Sequence, residues 1–394
     1  MDAALKGLKV VEVGNILAGP FVGTMLGDFG AEVIKVEPPK TGDLMRNMGR
    51  IKDFWYCVEG RNKKDITLNL KTAEGKDLLW KLIKDADILV QNFRPGVFDR
   101  LGFTWEKLQE VNPRLVYVVA SGYGSTGPKA KLPGMDRIGL AAGGFLQVTG
   151  FPDMPPIKPG ISTADFFCAL FGVSGAMFAI YSRDVLGTGR GQKVDCCLTE
   201  SMVRLQESII AEYSYDGVIR ERIGNAALVT VPSGHFLTKD NKYLVVTVSG
   251  DKLFKKCMEL MGREDLITDP RCVNGGERTK NREFLNNMMA EWVKAHTIEE
   301  CIKTFGDEVP NCKVYNAKDI VEDEHFKARN MIVDVPTDKF GVIKMQNAVP
   351  QMSGTPGKIQ FAGKPLGYFN EEILGERYGL SKEKLAEYKE KGII

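Results

Sequence analysis

A single carboxylate stands in the most apolar stretch of the chain. Between Lys158 and Arg183, Asp165 is the only charged residue. A buried carboxylate has to be hydrogen-bonded, lie at a helix start or face a cavity, because an unpaired charge is costly to bury. Ser162 and Thr163 are natural N-caps and place Asp165 in the first turn of a helix. The segment by itself leaves two interpretations open: an acidic residue that only stabilises the helix start, or a dehydrated nucleophile.

Short apolar runs alternate with helically spaced runs through the first part of the chain. The pattern predicts strands at 8–14, 31–37, 66–70, 88–91 and 115–121, and helices at 21–29, 73–85 and 105–111. Strands that alternate with helices form a parallel sheet covered on both faces. The predicted fold class is therefore α/β, with a Rossmann-like large domain.

The length of the chain and the changes in its pattern of apolar residues predict two domains. A chain of 394 residues exceeds what one small core needs. Strand patterns return near the end, so the large domain is assigned to both chain ends, 1–205 and 330–394. The looser stretch 206–234 is interpreted as a linker, and 235–329 as a smaller α/β domain.

The composition argues against several classes of protein. A net charge of +2 gives no bulk attraction to nucleic acid or to a membrane surface. The first residues lack the apolar core of a signal peptide, and the apolar segment 166–181 is shorter than a spanning helix, so a cytoplasmic protein is expected. The eight cysteines include no C-x-x-C pair and the three histidines are scattered, so no metal site is expected.

Two familiar motifs are approached but not completed. Gly14 follows the first strand, but the next glycine is Gly19, so the dinucleotide-binding pattern G-x-G-x-x-G is absent. The small residues 18–20 before a helix still suit a phosphate or a close backbone contact. The run 172–176, Gly-Val-Ser-Gly-Ala, resembles a nucleophile elbow, but its serine falls inside a helical apolar run, which favours packing.

Basic residues are frequent in the early loops. Most of them are interpreted as solvated surface. The stretch 92–96, Asn-Phe-Arg-Pro-Gly, directly follows a predicted strand, and Arg100 lies one turn into the next helix. Open α/β sheets bind ligands at the carboxyl ends of their strands, and arginine pairs well with phosphate. This stretch is therefore a candidate polyphosphate site.

Taken together, these segments resemble the family III CoA-transferases. The matching motifs run in order over nearly the whole chain: GLKVV at 7–11, AGP at 18–20, GAEVIKVE at 30–37, RNKK at 61–64, NFRPGV at 92–97, RLG at 100–102, SGYGxxGP at 121–128, TAD at 163–165, GRGQKVD at 189–195 and VPNCKV at 309–314. An agreement of this extent identifies the chain as a member of the family.

The resemblance implies a set of roles. The aspartate that matches Asp165 carries the acyl group as a mixed anhydride and then CoA as a thioester. CoA binding is implied for Ile16, Leu17, Lys40, Leu68, Lys71, Asn92, Phe93, Arg94 and Arg100. Lys40 enters this set because Pro38 stands where the family often has a nucleotide-binding arginine. The family further implies CoA as co-substrate without another cofactor, and a homodimer of interlocked, ring-like subunits.

Two other functions compete with CoA transfer as interpretations of the sequence. The α-methylacyl-CoA racemases share the fold but carry a histidine before the aspartate of a Gly-His-Asp segment. Here the segment is Gly134-Met135-Asp136, and methionine cannot transfer a proton. A CoA-binding protein without catalysis is the other rival, but binding alone gives no reason for an isolated carboxylate at Asp165.

The acid substrate is only weakly indicated by the sequence. Oxalate-using members carry four consecutive glycines near the linker, and the stretch 224–234 has no such run. The substrate pocket is assigned to Met135 and Asp136, and the apolar side chains of Ile16, Leu17 and Met135 suit a monocarboxylate. The segment 132–136 also resembles members that act on 2-hydroxy acids, so a 2-hydroxy monocarboxylate with an aliphatic or aryl side chain is expected.

Overall fold

A computed structural model describes residues 3–394 of the chain. The chain divides into two compact units. The first comprises Met1–Phe145, Lys158–Val218 and Glu324–Ile394, and the second comprises Leu146–Ile157 and Ile219–Asp323. The predicted linker, 206–234, is thus shared between the units, and its first part contains a helix, Ile209–Asp216. The segment Leu146–Ile157 belongs to the second unit, which the sequence pattern does not indicate.

The first unit is built on a six-stranded parallel sheet. Its strands are β1 (Lys9–Val13), β2 (Glu32–Glu37), β3 (Lys63–Thr67), β4 (Ile88–Gln91), β5 (Val116–Ser121) and β6 (Lys193–Cys197). Their order is β3-β2-β1-β4-β5-β6. Strands β2 and β3 are added on one side of β1, and β4, β5 and β6 on the other, so the strand order reverses between β1 and β4. The central strands are buried along most of their length, as expected for a parallel sheet covered on both faces. The predicted α/β class is confirmed.

Helices connect the strands and cover both faces of the sheet. They are α1 (Pro20–Asp28), α2 (Phe54–Glu59), α3 (Ala73–Lys84), α4 (Val97–Arg100), α5 (Trp105–Val111), α6 (Asp136–Ala142), α7 (Thr163–Asp184), α8 (Leu198–Arg204) and α9 (Ile209–Asp216), with a 3₁₀ turn at Leu44–Asn47. Several begin at a side-chain cap; Thr72, for example, accepts a hydrogen bond from Gly75 N–H at the start of α3.

The second unit contains a small antiparallel sheet and a group of helices. Its strands are β7 (Ser233–Leu237), β8 (Tyr243–Thr247) and β9 (Asn311–Lys313), and its helices are α10 (Asp251–Met261), α11 (Gly275–Lys280), α12 (Arg282–Ala295), α13 (Ile298–Phe305) and α14 (Ala317–Glu322), with a 3₁₀ turn at Glu264–Leu266. Buried side chains such as Leu244, Met289 and Phe305 give this unit a core of its own.

The end of the chain returns to the first unit. It forms α15 (Glu324–Ala328), a hairpin of β10 (Ile332–Thr337) and β11 (Gly341–Gln346), a π-helical turn at Glu371–Arg377, and α16 (Lys382–Glu390). Ile393 and Ile394 are buried in the same core cluster as Ile66 of β3. The segments before and after the second unit therefore share one hydrophobic core.

The long helix α7 explains the resemblance of 172–176 to a nucleophile elbow. Ser174 lies in the middle of the helix, where its hydroxyl donates to Leu170 O at 3.0 Å, and the residues that lead into it are helical and not a strand. A Cβ at Gly175 would lie 2.5 Å from Val194 Cγ1, so the small residue is needed for close contact with β6. The glycines of this run serve helix packing, and the elbow interpretation is excluded.

Helix α7 is also longer than the sequence pattern indicates. It spans 22 residues and so extends beyond the apolar run 166–181, and the whole helix is long and apolar enough to cross a membrane by length and composition alone. Within residues 3–394 it is the one helix that passes that test of length and composition, and 33% of its most apolar window is buried. Core helices of soluble proteins pass the same test, so α7 does not indicate a membrane protein.

Candidate active site

The candidate site lies at the point in the sheet where the strand order reverses, between β1 and β4. β1 and β4 are neighbours, and the chain leaves their carboxyl ends toward opposite sides, which opens a crevice between the two following loops. A cavity of about 180 Å³ occupies this position. Its lining includes Asn15, Ile16, Leu17, Ala18, Asn92, Phe93, Arg94, Pro95, Leu132, Gly134, Met135, Asp165 and Leu198. Asp165 is the one carboxylate in this lining.

The loop after β1 is held in an unusual backbone conformation. Ile16 has φ +67°, a left-handed conformation that a β-branched residue adopts only when its surroundings enforce it. Its N–H donates to Asp43 Oδ1 at 2.9 Å. Asn15 and Asn92 exchange two hydrogen bonds, with Asn15 N–H donating to Asn92 Oδ1 at 2.8 Å and Asn92 Nδ2 donating to Asn15 O at 2.7 Å. The loops after β1 and β4 are therefore fixed to each other.

A buried ionic network lies behind this loop. Lys35 Nζ, fully enclosed, contacts Glu12 Oε1 at 2.6 Å, Asp43 Oδ2 at 2.8 Å and Gly14 O at 3.0 Å. Burial alone would lower the pKa of the Lys35 ammonium, but the carboxylates of Asp43 and Glu12 outweigh it and raise that pKa. Lys63 Nζ contacts the second oxygen of Glu12 at 2.9 Å. Removing one partner from such a network costs about 3–5 kcal/mol, so its geometry is strongly determined.

Asp165 lies in the first turn of α7, as predicted. Its side chain is largely buried, and burial together with the nearby carboxylate of Asp136 raises its pKa to about 7. Ser162, the predicted N-cap, makes no side-chain hydrogen bond to the helix start. Asp136 takes that role instead, because its Oδ1 accepts from Ala164 N–H at 2.8 Å and from Asp165 N–H at 3.4 Å.

Close backbone contact brings Asp136 to this position. A Cβ at Gly122, after β5, would lie 2.6 Å from Gly134 Cα, so the two loops touch through their glycines. Met135 and Asp136 follow directly and start α6. Phe166 packs edge-on against Phe21 of α1, with ring centroids 4.7 Å apart, and fixes the start of α7 from the other side.

The structure separates the residues predicted to bind CoA into two groups. Five of them line the cavity of Asp165: Ile16, Leu17, Asn92, Phe93 and Arg94. Met135 lines it as well and is 64% exposed, whereas Asp136 lies outside the lining and contacts the backbone at the start of α7. Arg100 ends the short helix after Arg94 and is exposed.

The remaining three lie further along the sheet edge. Lys40, after β2, lines two larger cavities of about 480 and 780 Å³ and not that of Asp165. The side chain of Leu68 is buried in the hydrophobic core beside Ile66, so only its backbone faces outward from the strand end. Lys71 is exposed in the turn before α3.

The supporting residues Glu12, Lys35 and Asp43 were not identified from the sequence. A signal was present, because Glu12 and Lys35 interrupt otherwise apolar strands. Charged residues at such positions have to be paired, but the pattern does not reveal their partners. Within residues 3–394, His, Cys, Asp and Glu side chains form no group of three that could hold a metal ion.

The fold and the site together define a doubly wound α/β enzyme with a desolvated carboxylate at the crevice between its central strands. The chain matches the family described as CoA-transferase family III over residues 5–368. It is 41% identical to a succinyl-CoA–D-citramalate CoA-transferase of Chloroflexus aurantiacus, covering 99% of this chain and 98% of that one. A formyl-CoA:oxalate CoA-transferase of Streptomyces avermitilis is 31% identical over the full length of both chains.

A solved structure agrees with this assignment. The chain superposes on a CaiB/BaiF family protein from Brucella suis with a TM-score of 0.86 and 31% identity, covering 95% of this chain and 100% of that one. The chain belongs to the family III CoA-transferases and is a CoA-transferase. The resemblance inferred from the sequence motifs is confirmed.

The raised pKa of Asp165 predicts a pH-dependent stability difference. A carboxyl whose folded pKa is about 7 contributes stability below the unfolded pKa near 4, and that stability is lost as the pH rises through 7. Asp165→Asn lacks this loss. Between pH 5 and pH 8 its free energy of unfolding should gain about 2–3 kcal/mol on the wild type, an apparent Tm gain of roughly 2–5 °C.

Differential scanning calorimetry at the two pH values measures this gain. Asp77→Asn, an exposed substitution on α3, removes the same charge and should follow the wild type. An Asp165→Asn curve parallel to the wild type would show that the Asp165 carboxyl is ionised with an ordinary pKa.

Proposed function

We propose that the enzyme transfers CoA from an acyl-CoA donor to a free carboxylic acid through covalent intermediates on Asp165. One observation carries this proposal: Asp165 faces the cavity at the strand crevice in an environment that disfavours its charge. A carboxylate that is poorly stabilised as an anion is more basic and therefore a better nucleophile. An acidic residue that served only to stabilise the helix start would show the opposite shift, a lowered pKa.

The proposed reaction balances without an added base. An Asp165 oxygen attacks the thioester carbonyl, the C–S bond breaks, and CoA leaves as a thiolate from an acyl-aspartyl anhydride. The thiolate then attacks the aspartyl carbonyl and releases the donor acid, leaving an aspartyl-CoA thioester. The acceptor carboxylate attacks this thioester, the C–S bond breaks, and a second mixed anhydride forms as CoA thiolate is released. The thiolate attacks the acceptor's acyl carbonyl, the anhydride C–O bond breaks, and the Asp165 carboxylate is regenerated. Each step consumes one anion and produces another.

CoA is proposed to follow the loops after β1 and β4. The thioester end would lie against Ile16, Leu17 and Asp165, which line one cavity. Arg94 enters the same lining and is suited to a phosphate, and Arg100 follows on α4. Leu68 can contribute only its backbone, because its side chain is in the core. Lys40, Lys71, Asn92 and Phe93 complete the predicted binding set.

The acceptor is proposed to be a 2-hydroxy acid. Citramalate and malate, named for relatives 41% and 36% identical to this chain, are both 2-hydroxy acids with a second carboxylate. In the described part of this chain, Arg94 is the one cation that lines the cavity of Asp165. With Arg94 engaged by CoA, the apolar side chains of Ile16, Leu17 and Met135 favour a monocarboxylate with an aliphatic or aryl side chain.

A homodimer is proposed as the functional assembly. Helix α7 buries one face, which includes Cys168 and Ala176, and exposes large apolar side chains on the other. Phe178 is 73% exposed and Tyr181 55%. Burying such a face removes apolar area from water, which is what an interface between interlocked subunits would do. The enzyme is further proposed to act in the cytoplasm and to need no cofactor beyond CoA.

The covalent mechanism makes a direct prediction. Wild-type enzyme incubated with succinyl-CoA and quenched with hydroxylamine should give a hydroxamate on the peptide that contains Asp165, identified by mass spectrometry. Asp165→Ala should lower transfer by more than about 10³-fold and leave the circular dichroism spectrum unchanged. Wild-type turnover in Asp165→Ala would refute the mechanism. A racemase would instead exchange the α-hydrogen of a 2-methylacyl-CoA in D₂O without any acid acceptor.

The CoA site predicts separate effects on the two substrates. Charge-assisted phosphate contacts contribute about 1.5–3 kcal/mol each, so Arg94→Ala/Arg100→Ala should raise the KM for the CoA thioester at least about ten-fold. The KM for the acid should change little. Lys81→Ala/Lys84→Ala removes the same charge from α3 and serves as the matched control. An unchanged thioester KM in the arginine variant would place the nucleotide elsewhere.

The acceptor preference can be measured by competition. With succinyl-CoA as donor, equimolar 2-hydroxyisocaproate, phenyllactate, malate and citramalate are offered together, and the CoA thioesters are quantified by mass spectrometry. The monocarboxylates should form at least about ten-fold more thioester, because a second carboxylate buried without a cation is costly. Preference for malate or citramalate would show that Arg94 or another cation serves the acid. Equal use of 2-deoxy analogues would refute recognition of the hydroxyl.

A further inference from the structure

The start of α7 is capped by a carboxylate that comes from another helix. Asp136 opens α6, and its Oδ1 accepts from Ala164 N–H at 2.8 Å and lies 3.4 Å from Asp165 N. Ser162, which precedes the helix, gives its side chain to neither amide. The contact between Gly122 and Gly134 holds the segment before Asp136 close to the sheet edge.

This arrangement changes what the helix start does for Asp165. Free N–H groups in a first turn stabilise an anion, and Asp165 is placed where it would benefit from them. Asp136 accepts from these groups instead and adds a second negative charge nearby. The backbone amides at the helix start therefore stabilise the Asp136 carboxylate. The Asp165 carboxylate is destabilised by its burial and by repulsion from Asp136.

We propose that Asp136 is a positioning residue that fixes the start of α7 and makes the free Asp165 carboxylate less stable than its covalent forms. The proposal rests on the proposed function, because it assumes that Asp165 becomes acylated. Both the anhydride and the thioester at position 165 are uncharged. When the Asp165 oxygen bonds to the acyl carbon and the C–S bond breaks, the negative charge moves to the sulfur of CoA and its repulsion with Asp136 is relieved.

Few other groups can counteract this effect. Arg94, from the loop after β4, lines the same cavity. On α7 itself, Cys168 lies one turn after Asp165 and contacts Cys196 of β6; that hydrogen bond and burial raise the pKa of the Cys168 thiol, which stays neutral. Cys197, at the end of β6, is likewise a buried thiol with a raised pKa, chiefly from burial. Asp136 is thus the nearest charge of the same sign, and Arg94 is the one cation in the lining.

Two substitutions separate the charge of Asp136 from its hydrogen bond. Asp136→Asn keeps an oxygen that can accept from Ala164 N–H and removes the charge. Asp136→Glu keeps the charge. Asp77→Asn on α3 is the charge-matched control. Each variant is assayed for the pH dependence of kcat/KM with succinyl-CoA, and for the fraction of Asp165 trapped as hydroxamate at fixed succinyl-CoA and succinate.

In Asp136→Asn, the rising limb of kcat/KM should move from near pH 7 to lower pH by about one unit, and the trapped fraction should fall about ten-fold. The KM for succinyl-CoA should change less than kcat. In Asp136→Glu, kcat/KM should rise at the same pH as in the wild type. Asp77→Asn should match the wild type in both assays.

The proposal would be overturned if Asp136→Asn matched the wild type both in the pH at which kcat/KM rises and in the trapped fraction of Asp165. It would also be overturned if the variant lost activity while kcat/KM rose at the same pH, because that result indicates a purely structural role. The covalent mechanism is tested separately by the wild type. If wild-type enzyme gives no hydroxamate on Asp165, the proposed function fails; if it does and Asp136→Asn behaves identically, only the role of Asp136 fails.

Discussion

The fully buried ammonium of Lys35 is the interaction on which the site depends. It connects Glu12 of β1, the carbonyl of Gly14 at the strand end, and Asp43 beyond β2. Asp43 in turn holds Ile16 in its left-handed conformation. A network of this kind contributes little net stability, but it has a single low-energy arrangement, because every alternative leaves a buried charge without a partner. Lys35 therefore fixes the shape of the loop that lines the cavity.

The sequence predicted the fold at the level that hydrophobic periodicity can reach. The parallel sheet and the placement of Asp165 in a first helical turn follow from local patterns, and both are confirmed. The membership of segment 146–157 in the second unit does not follow, because it depends on contacts with residues far along the chain. The last turn of α7, beyond the apolar run, was also missed. It is polar in sequence, and Arg183 is buried there because it pairs with Asp87, a residue far away in the chain.

At the site, residue types were easier to predict than their orientations. Asn92, Phe93 and Arg94 were expected just after a strand, at the carboxyl edge of the sheet, and they line the cavity of Asp165. Leu68 was assigned to CoA binding along with them, yet its side chain points into the core, since alternation along the strand end decides which face it takes. The cap of α7 was assigned to Ser162 and Thr163, which stand at the start of the helix in the sequence. The acceptor comes instead from Asp136, which only the fold brings near.

Two carboxylates of this unit experience opposite electrostatic surroundings. Asp43, paired with Lys35 and bonded to two backbone amides, has a lowered pKa despite its burial. Asp165, in the first turn of α7, has a raised pKa because its carboxyl is largely buried and because the carboxylate of Asp136 lies nearby. The first arrangement suits a residue that keeps its charge, and the second suits the role proposed for Asp165, which would lose its charge on acylation. The paired network thus gives a rigid frame for the loop beside Asp165, whose carboxylate has no such cationic partner in the part of the chain that the structure describes.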